Sequence, residues 1–105
     1  MGLKMKAIKL LAIAALFSTS SIYAATITTK VTSKLAWSEE GAYFSSSKGD
    51  ISIYTVGIST KQFQSLNAIK KGDCVLISAG ESKLEKYQGT ISIMDFKSIK
   101  KVACK

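Results

Sequence analysis

Few residues of this chain have side chains suited to chemistry, and their types decide what kind it can be. Cys74 and Cys104 are the only cysteines, too far apart in sequence for the Cys-x-x-Cys spacing of a redox pair and too few to close a structural zinc site. Histidine is absent, which removes the Ser/His/Asp and Cys/His catalytic arrangements and the imidazole ligation of most catalytic zinc sites. Glu39 and Glu40 adjoin in a turn with no partner group, a poor acid/base pair. Neither an enzyme nor a metal or other cofactor is expected. Binding chemistry remains. Tyr43, Tyr54 and Tyr87 can stack on bases or sugar rings, at about 1–3 kcal/mol per stacked base, and Lys48, Lys83 and Lys86 can meet phosphate or another anion. The same lysines, with Lys30, Lys34 and Lys61, equally suit a solvated face that keeps a protein soluble.

The charge that would drive anion binding is smaller than it first looks. The formal net charge is +8, carried by lysine alone, with no arginine to act as a planar bidentate phosphate ligand. Residues 1–24, however, run from Lys4, Lys6 and Lys9 through an apolar stretch, Leu10 to Phe17, to polar Ser18–Ser21 and the small residue Ala24. This is the pattern of a secretory leader. Its apolar run falls well short of the ~20 residues that span a bilayer. Cleavage after Ala24 is expected to leave one domain, residues 25–105, periplasmic or secreted and without a membrane span, with twelve lysines against seven acids. In an oxidising compartment two cysteines pair, so a Cys74–Cys104 disulfide is expected, worth roughly 3–4 kcal/mol in the chain-entropy model.

The elements that must position these groups follow from periodicity. From Ala25 to Trp37 the residues alternate, with Ile27, Val31, Leu35 and Trp37 on one face, which predicts a long half-buried strand. Turns at 38–41 and 45–50 bound a second strand beginning Ala42-Tyr43-Phe44, and a third covers Ile51 to Ile58. Phe44 is expected in the core, Trp37 in the core or at its rim; parity alone leaves Tyr43 and Tyr54 facing either way. Ser59-Thr60-Lys61-Gln62 fits a capping box opening a helix on which Phe63, Leu66 and Ile69 share a face, with Ile58 and Phe63 as a hydrophobic staple. Lys70 and Lys71 are expected at its C-terminal end and Gly72 as its left-handed cap. A fourth strand, Cys74–Ala79, and a lysine-rich connection holding Tyr87 lead to a fifth from Thr90 to Ile99. A parity change there predicts a bulge or twist near Asp95. If the last two strands form a hairpin, both cysteines lie at its open end.

Three strands, a helix and two strands is the order of the five-stranded OB-fold barrel, all-β but for one short helix, which binds oligonucleotides or oligosaccharides on its second and third strands. Lys71-Gly72-Asp73-Cys74-Val75-Leu76-Ile77, then Gly80, then Tyr87-Gln88-Gly89-Thr90-Ile91-Ser92-Ile93 resembles the last two strands of anticodon-binding-type nucleic-acid OB domains. The chain is also similar to small exported bacterial OB-fold proteins and to the glycan-binding, ring-forming B subunits of secreted toxins. The first resemblance implies a nucleic-acid-type OB fold; joined to the residues singled out above, it gives the expectation of weak binding of a single-stranded nucleic acid or another anionic polymer through Tyr43, Tyr54, Lys48, Lys83 and Lys86, with Tyr87 alongside. The last implies a glycan or protein partner.

Overall fold

The computed structural model describes residues 25–105; the expected leader, residues 1–24, lies outside the described residues. In chain order the elements are β1 (Ala25–Lys30), β2 (Ala36–Trp37), β3 (Gly41–Ser46), β4 (Gly49–Tyr54), α1 (Thr60–Asn67), β5 (Cys74–Ala79), β6 (Lys86–Tyr87), β7 (Thr90–Ile93) and β8 (Phe96–Val102). The described residues are thus mostly β with one helix. Its strands form a three-stranded sheet, β1-β5-β8, and a five-stranded sheet, β2-β3-β4-β7-β6. Every pairing is antiparallel except that of β4 with β7. The sheets are not closed into a barrel, which corrects the expectation of one five-stranded barrel.

The division arises at two breaks. The long first strand expected over 25–37 divides because its hydrogen bonds change partner at Val31. The Val31 N–H donates to the Asp73 carbonyl and its own carbonyl accepts from Gly72, each at 2.8 Å, whereas Thr32 already donates to Ser45 of β3 at 2.8 Å. Sequence alternation continues through this point because it records sidedness and not which neighbour is paired. The second break is at Met94–Asp95. The backbone N–H groups of both residues donate to the Glu81 carboxylate, at 3.1 and 2.7 Å, and Gly80 N–H donates to the Asp95 carbonyl at 2.8 Å. Next to it, the register of β5 against β8 shifts between Ser78 and Ala79, leaving Lys97 as the extra residue of a bulge. The irregularity expected near Asp95 is therefore present, although Met94 is exposed and Phe96 and Ile99 enter the core instead.

Phe44, Ile51, Ile53, Leu66, Val75, Ile77, Ile91 and Ile93 form that core between the sheets. Helix α1 begins with the expected capping box: Gln62 N–H donates to Ser59 Oγ at 3.1 Å and Ser59 N–H to Gln62 Oε1 at 2.7 Å. Gln62 Nε2 also donates to the Lys97 carbonyl at 2.9 Å, tying the helix start to β8. Leu66 and Ile69 are buried, but Phe63 is exposed and packs at a tilt against Trp37, ring centroids 5.1 Å apart, and Trp37 is exposed too rather than in the core. The helix ends sooner than expected, at Asn67 with a right-handed Ala68 cap, so Lys70 and Lys71 follow it and Gly72, at φ +100°, serves the turn into β5.

Cys74 and Cys104 are disulfide-bonded, their Cα atoms 5.3 Å apart. They staple the β5–β8 antiparallel pair at the end where Cys74 faces Val102.

Candidate functional site

The outer face of the five-stranded sheet is built by register. Inward positions of β3, β4 and β7 hold Ala42, Phe44, Ile51, Ile53, Ile91 and Ile93, all buried, which turns Tyr43, Ser45, Asp50, Ser52, Tyr54, Thr90 and Ser92 outward. Tyr43 lies opposite Ser52, which lies opposite Ser92; Tyr54 is one pleat along β4 from Ser52, diagonal to Tyr43. Tyr43 and Tyr54 are 43% and 39% exposed. Opposite Tyr54 stands Gly41. A Cβ there would run into the Ile53 carbonyl, so the hairpin requires glycine and no side chain fills the place beside the Tyr54 ring.

These residues line a pocket of about 340 Å³ together with Ser38, Glu40 and Met94. The Tyr43 hydroxyl donates to Asp50 Oδ2 at 2.9 Å, which fixes the ring over the sheet. That hydrogen bond, with lesser contributions from desolvation and the Asp50 charge, raises the Tyr43 pKa above the ordinary phenol value, so the hydroxyl remains a donor. Glu40 is carried into the pocket by the Ser38–Gly41 turn, in which Ser38 N–H donates to the Gly41 carbonyl at 2.8 Å. Tyr87 joins the same face. It sits on β6 rather than in an irregular connection, because Gln88 and Gly89, at φ +50° and +83°, make a two-residue hairpin loop that pairs Tyr87 with Thr90.

The lysines expected to work with these tyrosines are elsewhere. Lys48 is at the tip of the β3–β4 hairpin, its N–H donating to Thr29 Oγ1 at 3.3 Å. Lys86 pairs opposite Ile91, on the other side of β6 from Tyr87, and its stem passes Gly49, 2.9 Å from where a Cβ would stand. Lys83 is engaged in an exposed ion pair with Glu85 at 3.4 Å. Tyr43, Tyr54 and Tyr87 thus share one face, and the sequence-level grouping of tyrosines with lysines is not reproduced in space. Missing from the sequence reading were Ser52 and Ser92, although strand parity gave a signal for both; Glu40 was weighed there as half of an acid/base pair.

Lys48 instead contributes to a groove of about 600 Å³ on the three-stranded sheet, lined by Lys30, Lys105, Leu76, Val102 and the disulfide. Among the described residues no cluster of three metal-ligating side chains occurs, and no helix is long and apolar enough to cross a membrane. Comparison with protein-family models, curated proteins and solved structures finds no match to this chain.

Proposed function

We propose that this chain is an exported, non-enzymatic binding domain of the OB type that takes a carbohydrate on the outer face of its five-stranded sheet. Support for the OB reading comes from the cyclic order of pairing. Segment 25–37 pairs with β3, β3 with β4, β4 with β7; the 90–102 segment then pairs with β5 and β5 with β1. The two sheets are joined covalently at 31–35 and 94–95, as a partly open five-stranded arrangement requires. A disulfide in a chain with a leader-like N-terminus supports export.

The observation that carries the ligand class is the composition of the tyrosine pocket. It joins Tyr43 and Tyr54, whose rings suit the C–H face of a sugar, to Ser38, Ser52 and Ser92, which both donate and accept, and to the acceptor carboxylate of Glu40. No lysine lines it. An anionic polymer would meet Glu40 there, and Asp50 beside it, without compensating charge, whereas sugar hydroxyls donate readily to carboxylates. Glycan-array screening of the protein, followed by calorimetry on any hit, tests this. Expected is binding of neutral sugars that changes little between low and high salt and weakens about tenfold in Tyr54→Ala, the lower part of the range for one lost stacking contact. Binding confined to anionic ligands and abolished by salt overturns it.

A further inference from the structure

The three-stranded sheet has an outer face of its own, and its chemistry is the opposite. Inward positions carry Ile27, Ile77, Val75 and Ile99; of the three outward-parity cross-strand rows, Thr28, Leu76 and Lys100 and Lys30, Cys74 and Val102 form the outer face, whereas in the row Thr26, Ser78 and Ser98 the central Ser78 is buried. Lys48 and Lys105 reach the same face as walls of its groove. No acidic side chain stands at any outward position of these strands or in the groove lining. The ion pairs among the described residues use Lys83, Lys97 and Lys101, so Lys30, Lys48, Lys100 and Lys105 have no carboxylate partner. Between these charges lie Leu76, Val102 and the disulfide, and no aromatic ring.

We infer that this face docks on a bilayer surface carrying anionic phospholipid. Charge complementarity is the ground: about four unpaired ammonium groups on a shallow, uncharged floor match a plane of phosphate headgroups, each lysine near such a surface adding to the attraction. A single-stranded nucleic acid is the less suited polyanion, since its bases bind by stacking on aromatic side chains and this face offers none. The short Thr26 and Thr28 side chains let the sheet approach the headgroups, and Leu76 and Val102 meet the interfacial zone behind them. Docked in this way, the domain leaves its tyrosine pocket on the other sheet open to solvent.

The test is partition of the purified protein, in the form the cell delivers it and with its N-terminus read by mass spectrometry, onto vesicles of phosphatidylcholine with 0–40% phosphatidylglycerol. Partition is expected to rise with the anionic fraction, to fall as salt shortens the Debye length, and to drop at least about 100-fold in K30E/K48E/K100E, following the per-lysine contribution near an anionic surface. The milder K30Q/K48Q/K100Q set, checked for folding by circular dichroism, must also weaken it. K83E and the pair Tyr43→Ala/Tyr54→Ala must leave it unchanged, which separates failure here from failure of the carbohydrate reading. Equal partition onto neutral vesicles overturns the inference, as do lysine variants that bind like wild type. So does oligonucleotide binding through these lysines without vesicle binding.

Discussion

The two sheets of this domain are made from the same alternating pattern and share one core, yet their outer faces diverge. On the five-stranded sheet the outward positions of β3, β4 and β7 hold tyrosine, serine, threonine and Asp50; on the three-stranded sheet they hold threonine, leucine, valine, Cys74 and unpaired lysine. A net charge spread evenly over the surface would say only that the protein is soluble. Sorted by sheet, it separates a pocket lined by no lysine from a groove lined by no acidic side chain. The stabilising devices differ too: the lysine face is stapled covalently by Cys74–Cys104, and the tyrosine face is held by close packing at Gly41 and by the Tyr43–Asp50 hydrogen bond.

Removing the staple is the largest perturbation available to the comparison. Replacing both cysteines with alanine is expected to lower stability by roughly 3–4 kcal/mol, the chain-entropy value for a loop of this length. Denaturant unfolding reads the loss, and hydrogen exchange locates it: β8 and the end of β5 should lose protection before β3 and β4. Uniform loss of protection would show that the two sheets do not differ in this way.

Gly41→Ala attacks the other sheet. Its methyl group meets the Ile53 carbonyl, and relief requires β3 and β4 to part, at a cost of about 1–3 kcal/mol. Sugar binding should fall with it, while the lysine face keeps its anion response. A variant as stable as wild type would remove the close approach from the account.

The smallest expected effect concerns pH. The Asp73 carboxylate accepts from Lys70 N–H at 2.8 Å and meets Lys101 Nζ at 3.4 Å. The backbone hydrogen bond first, and Lys101 after it, lower its pKa. A carboxylate with a depressed folded-state pKa contributes stability that is present above its unfolded pKa, about 4, and is lost as pH falls through the folded value. Asp73→Asn should therefore be less stable than wild type at pH 7 and lose less on acidification below pH 4. Parallel thermal melts from pH 7 to 2 check this; identical pH profiles would remove Asp73 from the junction where Val31 leaves β5.

Much of the fold was legible because its signals are local. Cys74–Ala79 is a strand with the expected bounds, Ser59 and Gln62 make the expected box, and the two cysteines, the only ones present, are bonded. The helix end was misread because Lys70, Lys71 and Gly72 carry a C-terminal signature that serves equally for a turn into a strand. The candidate site was half legible. Tyr43, Tyr54 and Tyr87 share an outward face that parity alone left open, and Lys48, Lys83 and Lys86 do not accompany them.

What the sequence determined by itself is the β-rich alternating pattern, the helix start, the cysteine pair and the exclusion of histidine chemistry, all of which depend on residue type and short-range spacing. Tertiary structure alone decided which strand pairs with which, where the 25–37 segment turns from one sheet to the other, and therefore which polar side chains share a face. Sidedness has a period of two along one strand, but the company a side chain keeps is fixed by cross-strand register between segments distant in sequence.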